Sequence, residues 1–204
     1  MLKIYLGPMY SGKTTELIRN YNRFKKYNQI IVDYDTSNIK DSNIDKSTLE
    51  LEGNFKYYLD TLCNHNGQAI SCFKIKNINI LEEFFRQNHD IIKNVKYIHI
   101  NEAQFFLDLK LVVINLIERY KINVYLYGLD GDFKRQKFGE ILDLIPFCDT
   151  LVKLNGICNN CDNKALFSHR ICGGKEQTLF NDSKEDKYIP LCRTCFLNFN
   201  SNLN

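Results

Sequence analysis

The chain has 204 residues, which is enough for one domain with a buried core or for one domain with a small appendage. Its net charge of +3 is too small to indicate a nucleic-acid or membrane surface by itself, and no apolar run approaches the roughly 20 residues that span a bilayer. Because Met1 leads almost directly into the first functional-looking loop, we expect no signal peptide and a cytoplasmic protein.

The first predicted element is a short apolar strand that runs into a glycine-rich loop. Gly7, four further residues and then Gly12-Lys13-Thr14 form the spacing of a phosphate-binding loop. Its backbone N–H groups and the following helix N-terminus face phosphate oxygens, and its lysine neutralises the β- and γ-phosphates. A glycine-rich turn with a surface lysine is the alternative. The candidate residues are Gly7, Pro8, Met9, Tyr10, Ser11, Gly12, Lys13, Thr14 and Thr15, with Thr14 also predicted as an Mg²⁺ ligand.

Apolar segments of strand and helix length alternate beyond this loop. We predict helices at residues 15–27, 80–88 and 107–120, and strands at residues 29–34, 69–73, 95–100 and 122–127. Residues 35–56 are polar and without periodicity, which indicates a long surface loop. The alternation predicts an α/β fold with a mostly parallel sheet flanked by helices, in which ligands collect at the carboxyl ends of the strands.

An acidic residue follows the predicted strand at residues 95–100. Enzymes with a phosphate-binding loop usually place an acidic Mg²⁺ residue at such a strand end, but this chain has Asn101, followed directly by Glu102. A carboxylate near the γ-phosphate can take a proton from an attacking hydroxyl, so we predict that Glu102 is a general base. An exposed loop acid is the alternative.

Aromatic residues also lie in predicted loops rather than on a helical core stripe. Rings around a pocket can stack on a base, each contributing about 1–3 kcal/mol. Burial in the core is the alternative for any single one. The residues concerned are Phe105, Phe106, Phe133, Phe138 and Tyr188.

Four of the eight cysteines form two Cys-x-x-Cys pairs, Cys158 with Cys161 and Cys192 with Cys195. Four thiolates in two such pairs make a closed tetrahedral site, so we predict a structural Zn²⁺ that ties down the polar segment between the pairs. Free thiols and a redox pair are the alternatives. The remaining cysteines lack ligand spacing and are expected to be reduced thiols: Cys63, Cys72, Cys148 and Cys172.

Together these segments resemble the thymidine kinases of the cytosolic, zinc-containing class (type II). The ordered set spans nearly the whole chain and is highly specific, whereas the phosphate-binding loop alone is not. It comprises residues 7–17, 101–106, 128–133, 138–139, 151–154, 167–170 and 186–188, and both cysteine pairs. The resemblance implies a P-loop (RecA-like) kinase domain over residues 1–154 and a small zinc-binding lasso domain over residues 155–204, which closes over the nucleoside.

The resemblance also implies an activity. It is the ATP- and Mg²⁺-dependent transfer of the γ-phosphoryl group to the 5′-hydroxyl of thymidine or deoxyuridine, in nucleotide salvage for DNA synthesis, with Glu102 as catalytic base. Asn101 and Gln104 join the phosphate-binding residues. The implied nucleoside-binding residues are Met9, Phe105, Leu129, Phe133, Phe138 and Tyr188. A homotetramer inhibited by dTTP is implied as well, with neither nucleic acid nor a membrane as partner.

The chain departs from the family pattern in three places. Asn101 stands where the family usually has Asp, so we expect weaker Mg²⁺ binding. Asn66 replaces the Asp of a His-Asp segment, and residues 173–183 lack the late Gly-Gly of a lid that is about two residues longer here.

Two other functions compete with a kinase. A catalytically weak sensor of dTTP or ATP would explain Asn101. A nucleic-acid-dependent ATPase would explain the sequence Asn-Glu-Ala-Gln at residues 101–104, but the chain is too short for two motor domains and has no basic stripe.

Overall fold

The computed structural model describes residues 1–36, 58–88, 93–172, 174, 176–178 and 187–201. Most of the loop predicted for residues 35–56 and most of the segment 173–183 lie outside the described residues. The strands of the main sheet are β1 (Leu2–Leu6), β2 (Asn28–Tyr34), β3 (Tyr58–Cys63), β4 (Ala69–Ile75), β5 (Val95–Ile100), β6 (Asn123–Gly128) and β7 (Thr150–Lys153). The helices beside them are α1 (Lys13–Arg23), α2 (Asn79–Gln87) and α3 (Leu109–Ile114), which continues as a π-helix over Asn115–Arg119; two 3₁₀ helices cover Ala103–Phe105 and Ile141–Phe147.

The main sheet has seven strands in the order β3-β4-β2-β5-β6-β1-β7. Its pairs are parallel except for β3 and β4, which form an antiparallel hairpin. The predicted α/β class with a mostly parallel sheet is therefore confirmed. Strand β3 was not predicted, and it is the source of the antiparallel pair.

Helices cover both faces of the sheet, and this explains why successive residues of the central strands β1, β5 and β6 are buried, rather than every second one. On one face α2, α3 and the Ile141–Phe147 helix bury residues such as Phe85 and Leu109 against the strands. On the other face Leu17 and Ile18 of α1 pack against the sheet.

A polar network lies beneath α1 on that second face. The Asn20 side chain donates to the hydroxyls of Tyr5 (2.9 Å) and Tyr127 (3.2 Å). His99 contacts the Tyr127 hydroxyl at 3.2 Å and Gln29 Oε1 at 3.0 Å. Burial lowers the pKa of His99 to about 4, so its imidazole is neutral and fits this enclosed network. The network fixes α1, and therefore the loop that precedes it, to the sheet.

The C-terminal part of the chain is a small unit of short hairpins and one helix. It contains β8 (Gly156–Ile157), β9 (Lys164–Ala165), β10 (Phe167–Arg170), β11 (Tyr188–Leu191) and α4 (Arg193–Ser201). Its buried centre combines Leu191 and Phe196 with cysteines. Its Ser168 hydroxyl accepts a 2.9 Å hydrogen bond from the Met9 N–H, which joins the unit to the loop after β1. In the part of the chain that the structure describes, no helix has the length and apolar character needed to cross a membrane.

Candidate active site

A cavity of about 380 Å³ opens at the carboxyl ends of β1, β5 and β6. This is the edge at which ligands of parallel α/β sheets collect. The predicted residues on its wall are Met9, Tyr10, Ser11, Gly12, Lys13, Thr14, Thr15, Glu102, Phe105, Leu129, Phe133, Phe138 and Tyr188. The wall also contains residues that the sequence did not single out as ligands: Thr36, Asn64, His65, Gly131, Asp132, Ser168, Gln177 and Thr178.

The loop from Gly7 to Thr15 curls between β1 and α1. Gly12 has φ +81°, a conformation that a residue with a Cβ adopts only with strain. A Cβ on Gly7 would lie 2.7 Å from the Leu154 carbonyl oxygen, so this position requires glycine as well. The Lys13 ammonium is buried and donates to the carbonyls of Gly7 (3.2 Å) and Pro8 (2.7 Å).

Burial and the neighbouring charges shift the pKa of Lys13 in opposite directions. Burial lowers the pKa of Lys13, whereas the carboxylates of Glu102 and Asp130 raise it. Asp130 also pairs with Lys153 of β7. The predicted base and the predicted phosphate-binding lysine therefore lie close enough to interact electrostatically.

Glu102 is the second residue after β5 and has a left-handed backbone, with φ +48°. Its Oε2 accepts a 2.6 Å hydrogen bond from Gln104 Nε2. Gln104 Oε1 in turn accepts from the Leu129 N–H at 3.0 Å, just beyond β6. Gln104 is thus buried behind Glu102 and off the cavity wall, where it holds the carboxylate in place.

Aromatic rings line the far side of the cavity. Phe105 packs edge-on against Phe138, with the ring centroids 5.2 Å apart. The Arg170 guanidinium lies 3.8 Å from the Phe133 ring centroid and donates to the Tyr188 hydroxyl at 2.7 Å. Phe106, in contrast, is 1% exposed and belongs to the core of the sheet. For this residue the alternative of burial in the core is therefore correct.

Asp132 connects the loop after β6 to Gln177. Its Oδ1 accepts the N–H groups of Lys134 and Gln136, both at 2.8 Å, and so shapes the loop itself. Its Oδ2 accepts a 3.0 Å hydrogen bond from Gln177, which also donates to the Lys137 carbonyl. These contacts hold Gln177 at the cavity rim.

The turn between β3 and β4 packs against the start of α1. The side chain of buried Asn64 donates from Nδ2 to Thr15 Oγ1 at 3.3 Å, and its Oδ1 accepts the N–H groups of Asn66 and Gln68. This arrangement places the His65 ring 5.4 Å from the Tyr10 ring, at the mouth of the cavity. Asn66, the departure from the His-Asp segment, lies in this turn, and the contacts of the turn could not be inferred without β3.

A buried carboxylate lies next to Asn101. The Asn101 amide donates to Asp33 Oδ1 at 2.8 Å. Burial raises the pKa of Asp33 to about 6, and the charge of Glu102 acts in the same direction, whereas the Asn101 hydrogen bond and Lys74 lower it. Neither Asp33 nor Asn101 lies on the cavity wall. Sequence reasoning overlooked Asp33, although a carboxylate within an otherwise apolar strand is itself a signal.

The two Cys-x-x-Cys pairs form one cluster, as predicted. All four Sγ atoms lie within 4.8 Å of one another, and Cys161 Sγ is 3.6 Å from Cys192 Sγ and 3.5 Å from Cys195 Sγ. Four sulfurs at a Zn–S distance of about 2.3 Å in a tetrahedron stand about 3.8 Å apart. Asn160 and Asn163 donate to two of the sulfurs, both at 3.3 Å. The cluster therefore fits a metal ion such as Zn²⁺.

Comparison with known proteins agrees with this arrangement. The family model described as thymidine kinase matches residues 1–196. Thymidine kinase 1 of Dictyostelium discoideum is 35% identical over 199 residues, which cover 96% of this chain and 77% of that protein. The thymidine kinase of Choristoneura biennis entomopoxvirus is 34% identical over 209 residues, covering 100% of this chain and 99% of that protein. The thymidine kinase of vaccinia virus (strain Western Reserve) is 32% identical over 196 residues, covering 96% of each.

The fold and the cavity define an α/β protein whose candidate site lies at the carboxyl edge of a mostly parallel sheet and whose C-terminal unit contains a metal-compatible cysteine cluster. The match over almost the whole chain makes the assignment specific. The chain belongs to the thymidine kinase family, and the resemblance inferred from its motifs is confirmed.

Proposed function

We propose that this protein uses ATP and Mg²⁺ to phosphorylate the 5′-hydroxyl of thymidine, and of deoxyuridine, to the nucleoside monophosphate. The observation that carries the proposal is the convergence of Lys13 and Glu102 on one cavity. Phosphoryl transfer requires a cation at the phosphates and a base at the acceptor hydroxyl, both in fixed positions. The family membership of the chain supports the same conclusion.

The phosphate side of the site consists of the loop Gly7–Thr15 and the N-terminus of α1. Backbone N–H groups there, together with the positive end of an eleven-residue helix, suit phosphate oxygens. Lys13 exchanges its carbonyl partners in this same loop for the β- and γ-phosphates. Thr14 and the phosphates would hold Mg²⁺, which neutralises charge that develops during transfer.

Glu102 accepts the proton of the attacking 5′-hydroxyl. The hydrogen bond from Gln104 holds one carboxylate oxygen and leaves the other directed to the substrate. Since Gln104 is itself held by the Leu129 N–H, Glu102 does not need to reorganise when the nucleoside binds.

The nucleoside occupies the aromatic side of the cavity. Phe105, Phe133 and Phe138 enclose the base and sugar, while Met9, Leu129 and Tyr188 line the space for the 5-methyl group. Arg170 contacts both the Phe133 ring and the Tyr188 hydroxyl, and it therefore keeps these two residues of the cavity wall at a fixed distance from each other.

The C-terminal unit excludes water, which would otherwise hydrolyse ATP. We assign residues 1–154 to the kinase domain and residues 155–204 to a lasso domain that closes over the nucleoside. The hydrogen bond from Gln177 to Asp132 supports such a closure. Zn²⁺ at the four cysteines would be structural because the site has no open position.

Assembly, regulation and location belong to the same proposal. We propose a cytoplasmic homotetramer inhibited by dTTP, for which the family membership is the support. Leu107, in the turn before α3, and Leu111, on α3, are 81% and 60% exposed, and exposed apolar side chains suit a subunit contact.

The test is a nucleoside panel with labelled ATP under single-turnover conditions, comparing wild type with Glu102→Gln. Thymidine and deoxyuridine should accept label, and Glu102→Gln should lower the rate by about 10²–10⁴-fold. Glu118→Gln, an exposed carboxylate on the π-helix, is the matched control and should keep the wild-type rate. Equal, negligible rates in wild type and Glu102→Gln, with nucleotide binding intact, would instead identify a nucleotide sensor.

A further inference from the structure

We propose that Arg135 is a positioning residue of the nucleoside pocket, which attaches the loop after β6 to the C-terminal unit. Its guanidinium lies against two aromatic rings of that unit, whereas Phe133 and Phe138 of the same loop form part of the cavity wall. Arg135 itself is not on that wall. The inference rests on the proposed function, because it concerns a residue that holds the nucleoside-binding aromatics without touching the nucleoside.

The backbone of Arg135 is the first observation. Its φ is +62°, in the left-handed region, and its N–H donates to the Asp132 carbonyl at 2.9 Å. The Asp132 N–H donates in turn to the Gln136 carbonyl at 2.9 Å, so the turn is closed from both sides. Glycine or asparagine adopts this backbone conformation at lower cost than arginine. A side-chain contact is therefore the better explanation for an arginine at this position.

That side-chain contact joins the loop to the core of the C-terminal unit. The Arg135 Cζ atom lies 4.9 Å from the ring centroid of Phe196 and 5.6 Å from that of Phe167. Phe196 is 4% exposed, and the two ring centroids are 5.0 Å apart. A guanidinium within about 6 Å of a ring centroid is attracted by the negative face of the ring. The two rings therefore form a fixed platform for a cation of the loop.

A second contact of the same kind runs in the opposite direction. Arg170, the last residue of β10, places its Cζ atom 3.8 Å from the ring centroid of Phe133 on the loop. Phe167, which receives Arg135, is the first residue of the same strand. The loop and the C-terminal unit thus each provide one guanidinium to the other. Two contacts at separate points fix the orientation of the loop as well as its position.

A second cavity, of about 200 Å³, lies beside the Arg135 contact. Its wall includes Asp130 and Arg135 of the loop, Lys153 of β7, and Phe167 and Ser168 of β10. Around Arg135 the loop and the C-terminal unit therefore enclose space instead of packing closely. A smaller side chain at position 135 would widen this space, and neighbouring contacts would not replace the lost one.

Arg193 provides a matched control for the contact. It is the first residue of α4, and its Cζ atom lies 5.2 Å from the ring centroid of Phe167. It makes the same type of contact with the same ring, but from within the C-terminal unit. Substitution of Arg193 therefore removes a cation from the ring platform without detaching the loop.

The experiment compares wild type with Arg135→Asn, Arg135→Lys and Arg193→Ala. Two kinds of quantity are measured: the KM values for thymidine and for ATP, and the rate of hydrogen exchange of the backbone N–H groups in residues 130–139 without ligand. Asparagine tolerates the left-handed backbone but provides no cation. Lysine keeps the charge but not the planar group.

Arg135→Asn should raise the KM for thymidine about three- to tenfold, as expected for the loss of a cation–π contact, and leave the KM for ATP unchanged. Exchange in residues 130–139 should become faster by a similar factor, about three- to tenfold. Arg135→Lys should show a smaller change in both quantities. Arg193→Ala should stay within about twofold of wild type in both, as is usual for a surface substitution.

Three results would overturn the proposal. Wild-type KM values and wild-type exchange in Arg135→Asn would show that the contact does not hold the loop. A parallel rise of both KM values would indicate a general loss of structure. An effect of Arg193→Ala equal to that of Arg135→Asn would assign the effect to the C-terminal unit itself. If wild type phosphorylates no thymidine, the proposed function fails, and the exchange rates alone then decide whether Arg135 holds the loop.

Discussion

Gln104 connects the ends of two neighbouring strands by donating to the Glu102 carboxylate at 2.6 Å and accepting from the Leu129 N–H at 3.0 Å. Both contacts are made by one buried amide, so the orientation of Glu102 depends on the position of the loop after β6. The candidate base is therefore held by a residue that does not line the cavity.

Loss of this amide should lower the rate of the chemical step. For Gln104→Ala we expect kcat to fall about 10–100-fold, since a hydrogen bond to a charged group contributes about 1.5–3 kcal/mol. The KM for ATP should change little because the loop from Gly7 to Thr15, to which we assign phosphate binding, is untouched. Steady-state kinetics with thymidine and ATP measure both quantities. Gln87→Ala, at an exposed position of α2, is the control, and an effect of Gln104→Ala on KM alone would contradict the role given to Gln104.

The order of the sheet explains what the sequence could and could not reveal. The loop after β1, Glu102 after β5 and the two cysteine pairs are local patterns, so their places in the fold could be predicted. The contact between Asp33 and Asn101 depends on β2 and β5 being neighbours, although 68 residues separate the two side chains. No local pattern carries that information.

The missed hairpin has a similar cause. Strand β3 follows a stretch that lies outside the described residues, and among the described strands its one partner is β4, at the edge of the sheet. An edge strand needs no continuous apolar run, so Asp60 and Thr61 interrupt its hydrophobic pattern. The Asn64 turn depends on this hairpin, and its contact with Thr15 could not be predicted for that reason.

Gly139 should be more sensitive to substitution than Gly67. Both have positive φ, +61° and +76°, so alanine at either position costs about 1–2 kcal/mol in backbone strain. A Cβ on Gly67 meets nothing within 4 Å, whereas one on Gly139 overlaps the Gln104 carbonyl oxygen. Urea unfolding should show a larger loss in free energy of unfolding for Gly139→Ala than for Gly67→Ala. The Gly139→Ala variant should also have a lower kcat, because the added Cβ displaces Gln104. Equal losses with unchanged kcat would contradict this reasoning.

Removal of a metal bound at the cysteine cluster should destabilise the C-terminal unit, because Cys158, Cys192 and Cys195 make up half of the buried residues described for its small core. We expect elemental analysis to find about one Zn²⁺ per chain in wild type, the amount that one four-cysteine site holds. Cys161→Ser should contain much less zinc, unfold at lower temperature and phosphorylate thymidine poorly. Cys63→Ser, at an exposed cysteine outside the cluster, is the control and should match wild type. Wild-type zinc content in Cys161→Ser would exclude the cluster as the binding site.

The buried Asp33 carboxyl should make stability depend on pH in a defined window. Its pKa is about 6 in the folded protein, compared with an ordinary value of 3.8. The folded state therefore binds the proton more tightly, and the resulting stabilisation is complete below about pH 4 and lost as the pH rises through about 6. Such a shift contributes about 1.4 kcal/mol at pH 5 and almost nothing at pH 7.5.

Asp33→Asn removes this titration and isolates its effect. The free energy of unfolding of Asp33→Asn minus that of wild type should increase by about 1.4 kcal/mol from pH 5 to pH 7.5, as measured by urea unfolding at a series of pH values. Lys74→Met provides a second check. The Lys74 charge lowers the pKa of Asp33, so its removal should move the window to higher pH. A difference between Asp33→Asn and wild type that stays constant with pH would mean that Asp33 is ionised throughout, and that burial does not raise its pKa.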